Sequence, residues 1–360
     1  MPSEAFTSRF NERYGVMSRR IVRMLSENSR ISLTEMAKRL GVSRRTVTIK
    51  LRRLEKELGI RYTLELNEPA LGFNSPHLIA VKFTRKPDYA VVEEALRSSN
   101  VPQLATFVEG SYDMVIYANA KSITEYTNWD RSMRRLLLLP YEAYWDPSEV
   151  AYRQLGFFPI RSEAIAASDI PENDRVMLQA LNENSRISFG ELSKKLNMNY
   201  KTAVYNFNRI AKSKYIKRFT IVIEKPEDIT FMSFFSKYIP PREFKNAFAK
   251  SKAFFTSDDK DPLINRYMLT TALMGVYDLF VIGAFDNYAS AYRNCIQLNK
   301  KTFRDMKILK LPYGQITKVV VGSLPIRSID AEKNYGVRVE DVEKDYSESV
   351  INKLGRKGQP

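Results

Sequence analysis

The chain has 360 residues, with 57 Lys and Arg against 41 Asp and Glu for a formal net charge of +16, and its pI is near 9.6. That balance points toward a polyanionic partner, either nucleic acid or an anionic membrane surface. A lone cysteine, Cys295, excludes a disulfide framework and a thiolate metal site, and a lone histidine, His77, leaves little room for imidazole catalysis or a histidine metal cluster.

A reducing, cytoplasmic setting with no metal and no cofactor is therefore expected. The 44% apolar content is that of ordinary globular cores. The first twenty residues carry Arg9, Arg13, Arg19 and Arg20 with no apolar run between them, so no signal peptide is read. Residues 1–17 read as an N-terminal extension, either a basic arm along a nucleic-acid backbone or, the favoured expectation, a frayed end.

From 18 to 56 the apolar spacing predicts three short helices. Gly41 interrupts the second, and Ser43 is a natural N-cap for the third. On that third helix Val47, Leu51 and Leu54 face inward, while Arg44, Arg45, Thr48, Lys50, Arg52 and Arg53 spread over the surface and rim. This is the helix-turn-helix plan, with Ile60 to Leu66 as the wing and 72 as the module's end. Residues 1–72 hold 15 Lys and Arg against 8 Asp and Glu. A small helical bundle with a solvated charged face is the plainer alternative.

Residues 73–163 read as strand (Leu78 to Phe83), helix (Tyr89 to Arg97), strand (Leu104 to Val108), turn (Gly110 to Asp113), strand (Met114 to Ala118), helix (Ile123 to Leu138) and strand (Val150 to Phe158). That order, β-α-β-β-α-β, is the ferredoxin-like split unit.

The chain then starts again. Glu27-Asn28-Ser29-Arg30-Ile31-Ser32 recurs letter for letter as Glu183-Asn184-Ser185-Arg186-Ile187-Ser188, 156 residues on. Residues 168–225 keep the apolar frame of a second helix-turn-helix. Its third helix offers Tyr200, Lys201 and Asn206 where the first offers Arg44, Arg45 and Lys50. Six Lys and Arg lie in 43–56 and three in 199–212. Asn side chains can read adenine edges, and the bland reading is a module kept for packing.

Residues 226–328 repeat the second unit, as Phe231 to Tyr238, Pro241 to Ser251, Tyr267 to Leu273, Leu279 to Ala284, Tyr288 to Met306 and Ile316 to Val321. The apolar run from Tyr267 to Phe285 carries Gly275 and Asp278 at its centre, so a buried hairpin is expected there and not a membrane span. Gly275-Val276-Tyr277-Asp278 answers Gly110-Ser111-Tyr112-Asp113, and each half closes on Pro-Ile-Arg-Ser, at 159–162 and 325–328. Residues 329–360 are expected to form an exposed helix and a loose charged tail. The fold class is α+β: two copies of a winged helix-turn-helix plus a ferredoxin-like regulatory domain, arranged as an intramolecular pseudo-dimer.

Asn28-Ser29-Arg30-Ile31-Ser32, Leu40-Gly41-Val42-Ser43, Val47 with Lys50, Leu51 and Leu54, and the linker Leu66-Asn67-Glu68-Pro69-Ala70-Leu71-Gly72 resemble the Lrp/AsnC feast-or-famine regulators. The resemblance covers about 18–162 and 172–328. It implies a transcription regulator whose partner is double-stranded DNA. Ser43, Arg44, Arg45, Thr48, Lys50, Arg52 and Arg53 would form the contact set, with Tyr200, Lys201 and Asn206 in the second copy. It also implies self-association through the regulatory domains, no membrane, and a small effector such as an amino acid near Gly110, Tyr112, Asp113, Gly275, Tyr277 and Asp278. The plain reading of those turns is that Gly supplies a positive φ and Asp caps the hairpin.

Two other readings stand beside this one. Siroheme decarboxylases are similar in build and are sometimes fused, but they rely on histidine and arginine near the second-to-third strand turn. Here Gly-Ser-Tyr-Asp and Gly-Val-Tyr-Asp stand there and His77 lies elsewhere, so the chain is read as no enzyme. The other is an effector sensor with vestigial DNA-binding parts, against which the cation density of 43–56 argues.

Overall fold

A computed structural model describes residues 3–224, 230–239, 267–285, 288–289, 291 and 307–325. The helix α1 (Ser3–Glu27) is broken at Gly15, whose φ of 80 no side-chain-bearing residue adopts easily. The expectation of a frayed end over 1–17 is thereby corrected: the described part, from Ser3, is helical up to the break. α2 (Leu33–Leu40) is capped by Ser32, whose hydroxyl accepts from Glu35 N, and is closed by Gly41 in the left-handed region. α3 (Arg44–Leu58) is capped in the same way by Ser43 and buries Val47, Leu51, Leu54 and Leu58. The strand β1 (Ile60–Leu66) follows.

The next elements are β2 (Ser75–Lys82), α4 (Tyr89–Arg97), β3 (Pro102–Gly110), β4 (Met114–Ala120), α5 (Ile123–Tyr141) and β5 (Tyr144–Leu155). β5 begins six residues before the expected strand and ends at Leu155. The stretch Asp146-Pro147-Ser148-Glu149, polar and carrying a proline, hid its start, although Trp145 to Ser148 pair with β2 at Val81 to Leu78. Gly156, at φ 75, turns the chain out of the strand. A short helix, α6 (Ser162–Ala166), leads to α7 (Glu172–Glu183), α8 (Phe189–Lys195), α9 (Tyr200–Ala211) and β6 (Ile216–Ile223). The remaining strands are β7 (Thr230–Ile239), β8 (Tyr267–Gly275), β9 (Leu279–Phe285), β10 (Lys307–Lys310) and β11 (Tyr313–Val321). The hairpin expected over Tyr267 to Phe285 is β8 and β9. The helix expected over Pro241 to Ser251, most of that over Tyr288 to Met306, and the tail 329–360 lie outside the described residues. No helix among the described residues is long and apolar enough to cross a membrane.

The larger sheet closes on itself. β3, β4, β2, β5, β8, β9, β7 and β11 pair antiparallel in that order, and β11 returns to β3. Period-2 alternation divides its residues between two cores. Ile79, Val81, Phe107, Met114 and Ile116 pack with Val92, Leu96, Trp129, Met133 and Leu137 of α4 and α5. Leu78, Ala80, Val115 and Tyr117 face inward, where they share a core with Phe235, Leu269, Leu273, Phe280 and Ile282. The apolar strands of the first sheet thus bury their second face against strands from the other end of the chain.

β1 and β6 form a separate two-stranded antiparallel ladder with Thr63 opposite Thr220. Each strand packs on the helices of its own module at one end and on the other module at the other. Leu64 and Leu66 of β1 enter the core of Met177, Leu178, Leu181, Phe207 and Ile210, and Ile221 of β6 enters that of Ile21, Leu25, Met36, Val47 and Leu54. The expected wing strand is therefore present, but it is spent on joining the two helical modules: Ile60 and Tyr62 lie against its own helices, and Leu64 and Leu66 are buried across the ladder.

Candidate nucleic-acid interface

The hexapeptide written twice is where the two helical modules meet. Ser29 and Ser185, fully buried, share a hydrogen bond of 2.6 Å between their hydroxyls. The amide of Ser29 donates to Phe219 O at 3.0 Å, and that of Ser185 to Tyr62 O at 3.1 Å. Thr220 and Thr63 donate their hydroxyls to Ser26 O and Asn182 O, both at 2.9 Å. The guanidinium of Arg30 donates to Ser185 O at 2.6 Å and lies 4.4 Å over the Phe207 ring. Arg186 in turn lies 5.0 Å over Tyr62. Burial, together with the nearby Arg186 charge, pulls Arg30 below the usual guanidinium value. A residue that bonds to its own counterpart sits on or beside a local two-fold axis, so these contacts fix the orientation of α3 to α9.

The outer face of α3, opposite Val47, Leu51 and Leu54, is the stripe Arg45, Thr48, Ile49 and Arg52, at helical spacing. Arg44, Arg45 and Arg52 are exposed and enter no ion pair among the described residues. Ser43 is engaged as the cap, accepting from Thr46 N at 3.1 Å. Thr48 donates to Arg44 O at 2.9 Å, and Lys50 is half-buried. Arg53 binds Glu57 at 2.8 Å, which neutralises part of its pull on a phosphate. Ile49, 60% exposed, escaped the sequence reading. The signal for it was available: it falls between Arg45 and Arg52 on the helical period and outside the apolar face.

The corresponding stripe of α9 is Lys201, Val204, Tyr205 and Asn208. Tyr205 is 68% exposed and Tyr200 58%. Asn206, expected at the contact face, is half-buried with its amide 3.9 Å from Met198 Sδ; the helical period puts Asn208 outward in its place. Arg209, a third cation of that segment, is held by Asp174.

The Gly-x-Tyr-Asp turns lie far along the chain from these helices and knit the closed sheet. Gly110 pairs with Gly314 of β11, and a Cβ at 110 would stand 2.7 Å from Gly314 Cα. Gly275 meets β5, where a Cβ would lie 3.1 Å from Ser148 Cα. Tyr112 donates its hydroxyl to Ser233 O at 2.7 Å. Tyr277, its hydroxyl pushed up to about 12 by burial and then by Asp146, donates its amide to Ser148 Oγ at 3.1 Å. Asp113 takes Lys82 Nζ at 2.7 Å and Phe83 N at 2.7 Å, and Asp278 takes Lys237 Nζ at 2.9 Å. His77 is buried on β2 with its ring stacked 3.5 Å from Tyr126.

A polar cluster that sequence reasoning missed sits between the linker and the sheet. Glu68 accepts from Tyr117 Oη at 2.5 Å and also from Asn119 and Arg153. Arg153 is 2% exposed. Among the described residues no group of His, Cys, Asp and Glu could hold a metal ion.

The family model described as winged helix-turn-helix DNA-binding matches residues 17–57, which are α1 from Met17 through most of α3. Over most of its length the chain is similar in fold to a solved siroheme decarboxylase, NirDL, in complex with an iron-uroporphyrin III analogue. The TM-score is 0.53 at 12% identity, over 94% of this chain and 98% of that one. This overturns the expectation that the chain is no enzyme, because the architecture covering both halves is one that carries catalysis in another protein. An HTH-type transcriptional regulator of Pyrococcus furiosus is 28% identical over 119 residues, 32% of this chain and 79% of that protein. A second, from Pyrococcus horikoshii, is 32% identical over 110 residues, 30% of this chain and 69% of its own length. With a helix-turn-helix whose cationic face stands clear of its own core, and with that identity to a regulator, the chain belongs to the family of HTH-type transcriptional regulators.

Proposed function

We propose that the protein is a duplex-DNA-binding transcription regulator of Lrp/AsnC type, built as a fused pair. In this reading each half holds a winged helix-turn-helix module, at 18–72 and 168–225, and a ferredoxin-like domain, at 73–163 and 226–328. The observation that carries it is the outer face of α3, where Arg44, Arg45 and Arg52 stand exposed and unneutralised beside Thr48 and Ile49. A cationic helix face of this kind fits the major groove, with Arg45 and Arg52 toward base edges and Lys50 and Arg44 nearer phosphates. The test is affinity against salt. With Arg44 and Lys50 each neutralising a phosphate, log affinity should fall against log salt with a slope of about −2 or steeper, counting roughly 0.9 per phosphate. A slope near zero removes DNA from the account.

The effector part of this reading rests on the turns at Gly110, Tyr112 and Asp113 and at Gly275, Tyr277 and Asp278. A small polar ligand there competes with Lys82 and Lys237 for the carboxylates. An amino acid that raises the melting temperature supports it; a screen that shifts neither melting nor DNA affinity leaves the turns as sheet joints.

A second reading has the whole-chain likeness behind it, an enzyme of decarboxylase build. Titration with iron uroporphyrin tests it. Saturable change in the visible absorption band supports it, and a spectrum that is the sum of the two components sets it aside.

A further inference from the structure

The two outer helix faces are held as one rigid unit, yet they carry different chemistry. The β1–β6 ladder, the Ser29–Ser185 bond and the Arg30 contacts leave α3 and α9 no independent rotation. α3 presents Arg45, Thr48, Ile49 and Arg52; α9 presents Lys201, Val204, Tyr205 and Asn208 at the matching positions. Ile49 and Tyr205 are equivalent residues, both large, and both more than half exposed on helices whose apolar faces are already buried. Among the described residues nothing covers these side chains, and a thymine methyl in a groove wall would.

We propose that the protein reads a non-palindromic duplex site in one fixed orientation. The α3 half-site carries guanine, which Arg45 and Arg52 meet at O6 and N7. The α9 half-site carries adenine for the Asn208 amide and thymine for Val204 and Tyr205. A two-fold head spaces the half-sites by about one helical turn, roughly 10 base pairs. Because both helices lie in one chain, each binding event presents one of each kind, and a palindrome can satisfy only one. The proposal rests on the DNA-binding reading above and assigns its substrate.

The experiment is selection from a random duplex library with the full chain, followed by affinity measurement at fixed salt. The expected consensus has two unlike halves about one turn apart. Asn208→Ala with Tyr205→Ala flattens the adenine and thymine half alone, and Arg45→Ala with Arg52→Ala flattens the guanine half alone. Each double variant loses about tenfold or more in affinity for the consensus, as do palindromes built from either half with the wild-type chain. An unchanged melting temperature shows that the variants fold. A palindromic consensus, a single half-site, or indifference to the α9 substitutions overturns the proposal while leaving DNA binding intact. No enrichment, together with a flat salt response, overturns both.

Discussion

Glu68 lies in the linker, is nearly fully buried, and gathers Arg153, Tyr117 and Asn119. Burial pushes the Tyr117 hydroxyl well above its usual value, so it stays a donor. Removing one partner of such a pair leaves a buried charge without compensation. Glu68→Ala is expected to cost about 3–5 kcal/mol in urea unfolding, and Glu68→Leu with Arg153→Met much less. Equal losses would show that the cluster does not act as an ion pair. His77 offers a cleaner titration, because it is the sole histidine in the chain. Burial lowers its value below 6.5, so the unfolded chain takes up the proton first as pH falls. Stability from this group is complete above pH 6.5 and is lost as pH drops from there through the lowered folded value. His77→Gln should remove that part of the slope, and an unchanged profile between pH 5 and 7 would refute the assignment.

The strand β1 was legible as a strand but not as a shared one. Its alternation of Tyr62, Leu64 and Leu66 says that one face is buried, and says nothing about which helices cover it. Leu64 is fully buried among α7 and α9 residues although it belongs to the first module. Leu64→Ala should cost about 2–5 kcal/mol, and hydrogen exchange in α7 and α9 should quicken before that in α2 and α3. The reverse order would mean that β1 supports its own module. The Gly-x-Tyr-Asp turns show a similar division. Their hairpins were readable; the strand pressed against each glycine was not. Gly110→Ala is expected to destabilise by more than about 1 kcal/mol. Gly275→Ala should cost less, since its nearest neighbours stand 3.1 Å from the added carbon where Gly314 Cα stands 2.7 Å from that at 110. Thermal melts of the pair decide this.

The net charge of +16 is a property of the entire chain, and its effect on binding depends on which cations are committed internally. Arg53 is paired with Glu57 and Arg209 with Asp174, whereas Arg44, assigned to a phosphate, has no such partner among the described residues. Arg44→Ala should therefore reduce the magnitude of the salt slope by about 0.9, one phosphate's worth. Arg53→Ala should reduce it by less. Equal reductions would show that the Arg53–Glu57 pair opens on DNA.

By itself the sequence determined the helix boundaries that caps fix, the order of elements through Tyr141, and the position of α3. Those depend on short-range chemistry: Ser32 and Ser43 accept from amides three residues on, and Gly41 takes a left-handed turn. It also marked Glu27 to Ser32 and its repeat as special without giving the reason. Only the tertiary structure decided that reason, which is that Ser29 meets Ser185 across a joint between modules. The same holds for the exchange of β1 and β6, the closure of the sheet through β11 and β3, and the outward place of Ile49, Tyr205 and Asn208. Each depends on contacts more than a hundred residues apart or on which face a neighbour covers. Local spacing fixes which residues share a face; only the assembled neighbours fix which face is left for a partner.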